Sequence, residues 1–189
     1  MTTRPDRRVA RSRAALMAAA VDLVAERGAA VPVTDLAEAA DVSRQLLYQH
    51  FGDRDTLLVA AAADLVRREL LPHLADPRAP RHARLLAVAR HFADHRPFYR
   101  AVLTGPCAWR LAEALAELFR TLITTEALRA GLGEVDERAA RDLAVLISHG
   151  TGAIVHDWVV RAEDPLRPEE LADRLLTVTS LLTPAPPHP

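Results

Sequence analysis

The sequence predicts an all-α protein of about nine helices. Its 189 residues include 36 Ala and 28 Leu, which favour helix. Only 3 residues are Ile and only 4% are aromatic, so the residues that strands prefer are scarce. Gly and Pro, the strongest helix breakers, are spaced at intervals that suit helices of about 7 to 25 residues.

The breakers set the helix boundaries. Gly28 is expected to cap the first helix, whose buried stripe comprises Leu16, Ala20, Leu23 and Val24. Asp53 is placed to cap the fourth helix and Pro72 to end it. The first five predicted helices lie at about 8–27, 35–40, 44–51, 54–71 and 81–94. A short helical segment follows and ends near 103. The last three predicted helices run from the turn at 105–106 to about 128, from 135 to 161, and from about 168 to 182.

Composition excludes several classes of protein. Cys107 is the only cysteine, so neither a disulfide framework nor a Cys-based zinc site is expected. No uninterrupted apolar run reaches about 18 residues, and residues 1–13 lack the apolar core of a signal peptide. We therefore expect a soluble, cytoplasmic protein with a disordered tail at 184–189. The net charge of −1 argues neither for nor against nucleic acid.

The most specific pattern runs from 33 to 51 and predicts two short helices that cross steeply through a tight turn. Thr34 suits the N-cap of the first helix, and Ser43 suits that of the second. Asp41 occupies the turn position that needs a left-handed residue, where Asp is one of the few alternatives to Gly. Leu47 should face the core. The buried face of the first helix is predicted to be Leu36, Ala37 and Ala40.

In these residues the chain resembles the tetracycline-repressor (TetR) family of transcriptional regulators, closely over about residues 10–60. The matching segments are Glu26–Arg27–Gly28, Thr34, Leu36–Ala37, Ala40–Asp41–Val42–Ser43 and Leu47–Tyr48–Gln49–His50–Phe51. Two departures concern the DNA-reading part: Asp41 replaces the usual Gly, and Gln45–Leu46 replaces the usual pair of small residues. The resemblance implies a DNA-binding helix-turn-helix domain at 1–53, followed by a helical ligand-binding and dimerisation domain at 54–183.

The second helix of the pair is the predicted recognition helix, because an α-helix fits the major groove of DNA. Gln45 and Gln49, the only two glutamines, share one face and can each pair with an adenine edge, while Arg44 can contact guanine or phosphate. Leu46 could touch a thymine methyl group. Five arginines and one acid give residues 1–13 a charge of +4, which suits an arm that touches DNA. The predicted DNA-binding residues are Thr34, Ser43, Arg44, Gln45, Leu46, Tyr48, Gln49, His50 and Arg54.

The last two helices are predicted to form a homodimer interface, which would match a palindromic operator in double-stranded DNA. Gly150 and Gly152 lie inside a helix, where each costs about 1 kcal/mol relative to Ala unless another backbone approaches closely. The alternative is that these apolar stripes only pack the core of one chain. The predicted interface residues are Leu143, Ile147, Gly150, Ile154, Leu171, Leu175, Val178 and Leu182.

The scarce large and polar-tipped side chains cluster between 91 and 119, and they suggest a small-molecule site with apolar walls and few polar groups. We expect a bulky, mostly apolar effector that releases the operator, and the family resemblance implies that it would do so by pivoting the helix near 54–71. The alternative is that aromatics fill the core with histidines at its margin. The predicted ligand-binding residues are His91, Phe92, His95, Phe98, Tyr99, Trp109, Phe119, His149 and Trp158.

Other functions have weaker support. His91 and His95 have the i, i+4 spacing of metal ligands, but Phe92 stands where a His-Glu-x-x-His motif needs Glu, so we expect no metal. Cys107 has no evident base nearby, there is no glycine-rich phosphate loop, and no cofactor or catalytic residue is predicted. An enzyme, or a helix-turn-helix protein that docks only to other proteins, remains the alternative to a DNA-binding regulator.

Overall fold

The computed structural model describes residues 4–76, 78–124, 128–129 and 133–182. Throughout these ranges the ordered elements are helices and no strand occurs, which confirms the all-α prediction. The predicted tail at 184–189 lies outside the described residues. The helices are α1 (Arg4–Arg27), α2 (Val33–Ala39), α3 (Arg44–Phe51), α4 (Arg54–Leu65), α5 (Leu71–Leu74), α6 (Arg81–Asp94), α7 (Arg96–Leu103), α8 (Ala108–Arg120), α9 (Glu137–Arg161) and α10 (Pro168–Leu182).

Helix caps mark several of these boundaries. Gly28 follows α1 with φ +82°, and its N–H donates to Val24, as expected of a C-terminal cap. The Asp53 carboxylate accepts a 2.6 Å hydrogen bond from the N–H of Thr56 and thereby caps α4. The first helix begins at Arg4, four residues earlier than predicted, so the basic segment from residue 4 onward belongs to α1 and is not a separate arm.

Two predicted helix ends were wrong. The helix starting at Arg54 does not stop at Pro72; it widens into a π-helical turn at Val66–Leu70, and Pro72 then sits in the first turn of α5. Proline is tolerated there because the first turn leaves its N–H groups unbonded in any case. The helix predicted to reach 128 ends at Arg120, where i→i+3 bonds from the N–H groups of Leu122 and Ile123 tighten the last turn.

The described residues pack into two compact units that do not follow chain order. The first comprises residues up to Val66 together with His95–Leu111, and the second comprises Arg67–Asp94 and the residues from Ala112 onward. The boundary predicted after residue 53 does not coincide with these packing units, and the functional division that it expresses stays a prediction.

In the first unit α1 is the central helix and packs on α2, α3, α4 and α7. Its stripe at three- and four-residue spacing is buried as predicted, with only Leu23 half-exposed. The side chains that fill this core at 1% exposure or less include Leu16, Ala20, Val24, Leu36, Leu47, Leu57, Leu58, Phe98 and Tyr99.

In the second unit the main pair is α6 and α10. Ala89 of α6 and Leu171 and Leu175 of α10 are almost fully buried. At the margin of this unit His82 lies 3.0 Å from Asp173, and Arg90 donates to Glu169 at 3.1 Å.

Helix α9 differs from the sequence-based expectation. By length and composition it could cross a membrane, since an 18-residue window has a mean hydropathy of 1.3, and it is the only such helix in the part of the chain that the structure describes. The expectation that no helix spans a membrane was based on the absence of an uninterrupted apolar run. The mean hydropathy of a window can stay high even where polar residues such as Ser148, His149 and Thr151 interrupt that run. Only 28% of that window is buried, and Val145 and Leu146 are 46% and 56% exposed in the single chain.

Candidate nucleic-acid interface

The turn between α2 and α3 has the geometry that its residues predict. Asp41 adopts φ +52°, and among the described non-glycine residues it is the one with positive φ. The Ser43 hydroxyl accepts a 3.2 Å hydrogen bond from the N–H of Leu46 and caps α3. Thr34 was the wrong N-cap for α2: the helix starts two residues earlier than predicted, at Val33, after Pro32, and the Thr34 hydroxyl instead donates to Asp35.

The short recognition helix has two distinct faces. Leu47 and Phe51 are buried at 0% and 6% exposure and anchor the helix to its unit. The opposite face exposes the residues for which base or backbone contacts were predicted, and no acid occurs between 42 and 51. The exposed members are Ser43, Arg44, Gln45, Tyr48 and Gln49, with Leu46 half-buried beside them.

Helix α1 clamps the C-terminal end of α3. Arg13 donates a 2.7 Å hydrogen bond to the carbonyl of His50, and its guanidinium lies 4.4 Å from the centre of the Phe51 ring. The Ser12 hydroxyl lies 3.0 Å from Nε2 of His50. Burial and the neighbouring Arg13 together lower the pKa of His50, because both disfavour the imidazolium. The neutral form is therefore favoured, and a phosphate contact by His50 would use a neutral donor.

A shallow cleft of about 320 Å³ lies beside the end of α3. It is lined by Val33, Tyr48, Asp53, Arg54 and Asp55. Two predicted phosphate contacts, Tyr48 and Arg54, thus share one surface, and Nε and Nη2 of Arg54 both donate to the Asp55 carboxylate at 3.3 Å. This pairing partly neutralises the charge that Arg54 could offer to a phosphate.

Sequence reasoning missed two arginines. Arg13 was assigned to a DNA-touching arm, and Arg110 received no role. Arg110 donates a 2.7 Å hydrogen bond to the Thr56 hydroxyl and lies 3.9 Å from the Asp53 carboxylate, so it braces the N-terminus of α4. Bonding to the N–H of Thr56, more than Arg110, holds the pKa of Asp53 below its ordinary value. No local motif signals either contact, because the partners lie 37 and 54 residues away.

Comparison with known proteins identifies this arrangement. The family model "Bacterial regulatory proteins, tetR family" matches residues 16–61, from the middle of α1 into α4. The HTH-type transcriptional repressor Rv3405c of Mycobacterium tuberculosis is 31% identical, over 82% of this chain and 98% of its own. The chain belongs to the TetR family. It is a transcriptional regulator with a helix-turn-helix, and its relatives are regulators rather than enzymes.

Solved structures of the family share the fold. The TetR-family repressor AlkX from Dietzia sp., implicated in biodegradation of n-alkanes, is 26% identical, with a TM-score of 0.60 over 89% of this chain and 96% of its own. Thermus thermophilus FadR in complex with lauroyl-CoA gives a TM-score of 0.62 at 22% identity, over 94% of this chain and 98% of its own. The second likeness establishes the fold alone.

The residues predicted to bind a ligand are divided between the two units. His95, Phe98, Tyr99 and Trp109 belong to the first, where Phe98 and Tyr99 are buried edge to face at 5.4 Å and Trp109 is 72% exposed. The second unit holds His91, Phe92, Phe119, His149 and Trp158. There the His91 and Phe92 rings also meet edge to face at 5.4 Å, and His149 lies 3.3 Å from Glu113. Their role in ligand binding stays a prediction.

The residues predicted to form a dimer interface are not equally available. Leu171 and Leu175 of α10 are buried in the core of their own unit, as the alternative interpretation of that stripe expected. Gly150 is exposed, Val178 is 38% exposed, and Leu143, Ile147 and Ile154 are half-buried. The side chain of Leu182 lies outside the described residues. The apolar surface open to a partner therefore lies on both helices, at Val145 and Leu146 of α9 and at Val178 and Leu181 of α10.

Proposed function

We propose that this regulator is a homodimeric repressor in the cytoplasm and that it binds a palindromic operator through α3. A bulky, mostly apolar small molecule would bind the repressor and release it from the operator. The observation that carries the DNA-reading part is the exposed, acid-free face of α3. Gln45 and Gln49 stand there four residues apart, and Arg44, next to Gln45 in the chain, is also exposed. Amide side chains in this position can bond to two edges of adenine, and an arginine can fork to guanine.

The uncovered face of α9 supports dimerisation. Val145 and Leu146 are 46% and 56% exposed, and a Cβ placed on Gly150 or Gly152 would meet nothing within 4 Å. The glycines therefore bring no close contact inside the chain that would offset their cost in a helix. A second copy of α9 that approaches across this smooth surface would provide that contact and cover the leucine and valine.

The repressor role and the apolar effector have support from relatives. Rv3405c is named a repressor, AlkX is a repressor implicated in n-alkane biodegradation, and the FadR structure holds lauroyl-CoA. In this chain Phe92 and Trp158 are buried in the second unit, together with His91. We expect the effector to lie among such side chains and to act on α4, whose capped N-terminus directly follows the recognition helix.

Selection of bound DNA from a random pool tests the proposal, followed by a release screen with apolar compounds on the selected site. A palindromic consensus with half-sites about one helical turn apart, or somewhat more, is expected. Replacing Gln45 and Gln49 together with Ala should weaken binding to that site by about tenfold or more, because each bidentate pair contributes about 1–3 kcal/mol. Both side chains are exposed, so the melting temperature and the oligomeric state should not change.

Binding to random DNA is the internal control, because it depends mainly on phosphate contacts. If the double variant binds the selected site as tightly as the original protein does, α3 does not read bases through its glutamines. A protein that docks only to other proteins would select no DNA sequence.

A further inference from the structure

Helix α6 has two faces with different partners. One packs against α10: Ala89 is fully buried there, and His82 and Arg90 reach Asp173 and Glu169. Roughly opposite, at three- and four-residue spacing, lie Arg84, Val88 and His91, which we call the Arg84 row.

The Arg84 row is covered by protein. Val88 and His91 are 9% and 7% exposed, and Arg84 is half-buried. An arginine seldom lies on a covered face without polar partners, because burying a charge is expensive unless it is paired. The chemistry of this face therefore needs an explanation beyond packing.

Nε of Arg84 is buried and has no hydrogen-bond partner within the described part of the chain. Arg81 lies one helical turn before it. Burial, and secondly the charge of Arg84, lower the pKa of Arg81, so the two guanidinium groups are close enough to repel each other. A buried guanidinium N–H without an acceptor loses its hydrogen bond to water, and an anion placed there would restore it.

The other end of the Arg84 row is different. His91 lies about 10 Å further along the helix axis, its ring touches Phe92, and its Nδ1 is 4.0 Å from the Glu69 carboxylate. The Glu69 carboxylate disfavours a second negative charge at this end. The face thus runs from a cationic end over the apolar Val88 to a histidine beside an aromatic ring.

We propose that the Arg84 end of this row binds an amphipathic small molecule through a single carboxylate, which Arg84 holds with help from the exposed Arg81 one helical turn away. A guanidinium is the side chain best shaped for this task, because its N–H groups match the two oxygens of a carboxylate. The inference rests on the proposed release by a small molecule and specifies the class of effector.

The test compares acids with neutral compounds of the same shape. Release of a labelled operator from the full-length protein is followed by fluorescence anisotropy, with decanoate against 1-decanol and 1-naphthoate against 1-naphthol. We expect the carboxylates to act at concentrations about ten- to a hundredfold lower, as for other charge-assisted hydrogen bonds. Arg84→Gln should abolish this preference and Arg84→Lys should keep only part of it.

The matched control is Arg90→Gln, on the other face of the same helix, where Arg90 pairs with Glu169 at the surface. It should keep the preference for carboxylates. Circular dichroism and the melting temperature establish that each variant folds. If Arg84→Gln does not fold, Arg84→Lys and the acid–alcohol comparison on the unmodified protein decide the question.

Equal potency of acid and alcohol, or an unchanged preference in Arg84→Gln, would overturn the inference and leave release by apolar ligands standing. If no compound releases the operator, calorimetry on the DNA-free protein separates the two proposals. If a carboxylate then binds the DNA-free protein and Arg84→Gln abolishes this binding, the carboxylate site is supported and the proposed release of the operator is contradicted. Absence of carboxylate binding contradicts the site itself.

Discussion

Helices α3 and α9 both leave residues uncovered, and the two exposed faces differ in chemistry. The face of α3 carries arginine, two glutamines and a tyrosine, whereas that of α9 carries valine, leucine, alanine and two glycines, with Asp142, His149 and His156 beside them. Polar donors and acceptors can remain in water until DNA arrives, while an apolar helix face is stable mainly when another protein surface covers it. The exposed face of α3 therefore suits a partner that binds reversibly, and the exposed face of α9 suits a permanent partner.

The largest effect is expected from a charge on the α9 face. Leu146→Glu places a carboxylate on the exposed surface of α9 in each copy, where the proposed dimer would bury an apolar side chain. The dimer dissociation constant should rise by about a hundredfold or more, since each of the two copies contributes an unfavourable change of at least about 1.4 kcal/mol. Sedimentation velocity over a range of concentrations measures it.

Val9→Glu is the matched control, because Val9 is a 46% exposed apolar residue on α1 in the other unit. It should leave the dimer intact. If Leu146→Glu sediments as the unmodified protein does, α9 is not the interface, and its uncovered apolar surface needs another explanation. Specific DNA binding should weaken in parallel with dissociation, because one copy holds only one half-site.

The clamp at the end of α3 gives the next largest effect. Arg13→Met keeps most of the aliphatic stem but removes the hydrogen bond to the His50 carbonyl and the contact with the Phe51 ring. We expect the free energy of unfolding to fall by about 1–3 kcal/mol, the sum of a hydrogen bond to a charged donor and a cation–π contact. Urea denaturation measures it.

Arg11→Met is the control for Arg13→Met, because Arg11 is an exposed arginine of the same helix. It should change stability by less than about 0.5 kcal/mol. Equal losses in the two variants would mean that the clamp contributes nothing specific. If only Arg13→Met loses stability, the recognition helix depends on α1 for its orientation.

The two regions also differ in how far sequence predicts them. The turn before α3 could be predicted residue by residue, because Asp41 and Ser43 act through backbone groups at most three residues away. The Arg13 contact with His50 could not, since it joins residues 37 apart through a helix crossing. On α9 the apolar stripe was visible in the sequence. Which part of it the chain itself would bury depends on where α6 and α10 pack, and no local pattern specifies that.

The backbone on either side of α3 offers a smaller and more local test. Asp41 adopts φ +52°, and Gly52, after the helix, adopts φ +78°. Asp41→Gly should stabilise the protein by up to about 1 kcal/mol, because the left-handed conformation strains a residue with a Cβ. Gly52→Ala should destabilise it by about 1 kcal/mol or more, although a Cβ there meets nothing within 4 Å.

The pair of substitutions separates backbone strain from packing, because neither change removes a buried contact. Denaturation midpoints at constant m-value report both effects. Opposite signs support the strain argument. A loss of stability in Asp41→Gly would show instead that the Asp41 side chain contributes more than its backbone strain costs.

The smallest effect concerns the protonation of His50. Its pKa is lowered in the folded protein by burial and by Arg13, so the unfolded chain takes up a proton more readily than the folded one. The contribution of neutral His50 to the free energy of unfolding is fully present above the pKa of histidine in the unfolded chain, near 6.5, and decreases as the pH falls below that pKa. His50→Gln should flatten the part of the stability–pH curve that lies just below pH 6.5, as measured by urea denaturation at a series of pH values.

The same neutral histidine has a consequence for DNA. A phosphate contact through a neutral donor releases no counterion, so His50→Gln should leave the slope of log affinity against log salt unchanged even if affinity falls. Arg44→Ala, on the exposed face of α3, should reduce that slope by about one if Arg44 touches phosphate, and leave it unchanged if Arg44 reads only a base. A reduced slope in His50→Gln would mean that DNA binding protonates His50, so that the clamp on α3 changes when the regulator binds its operator.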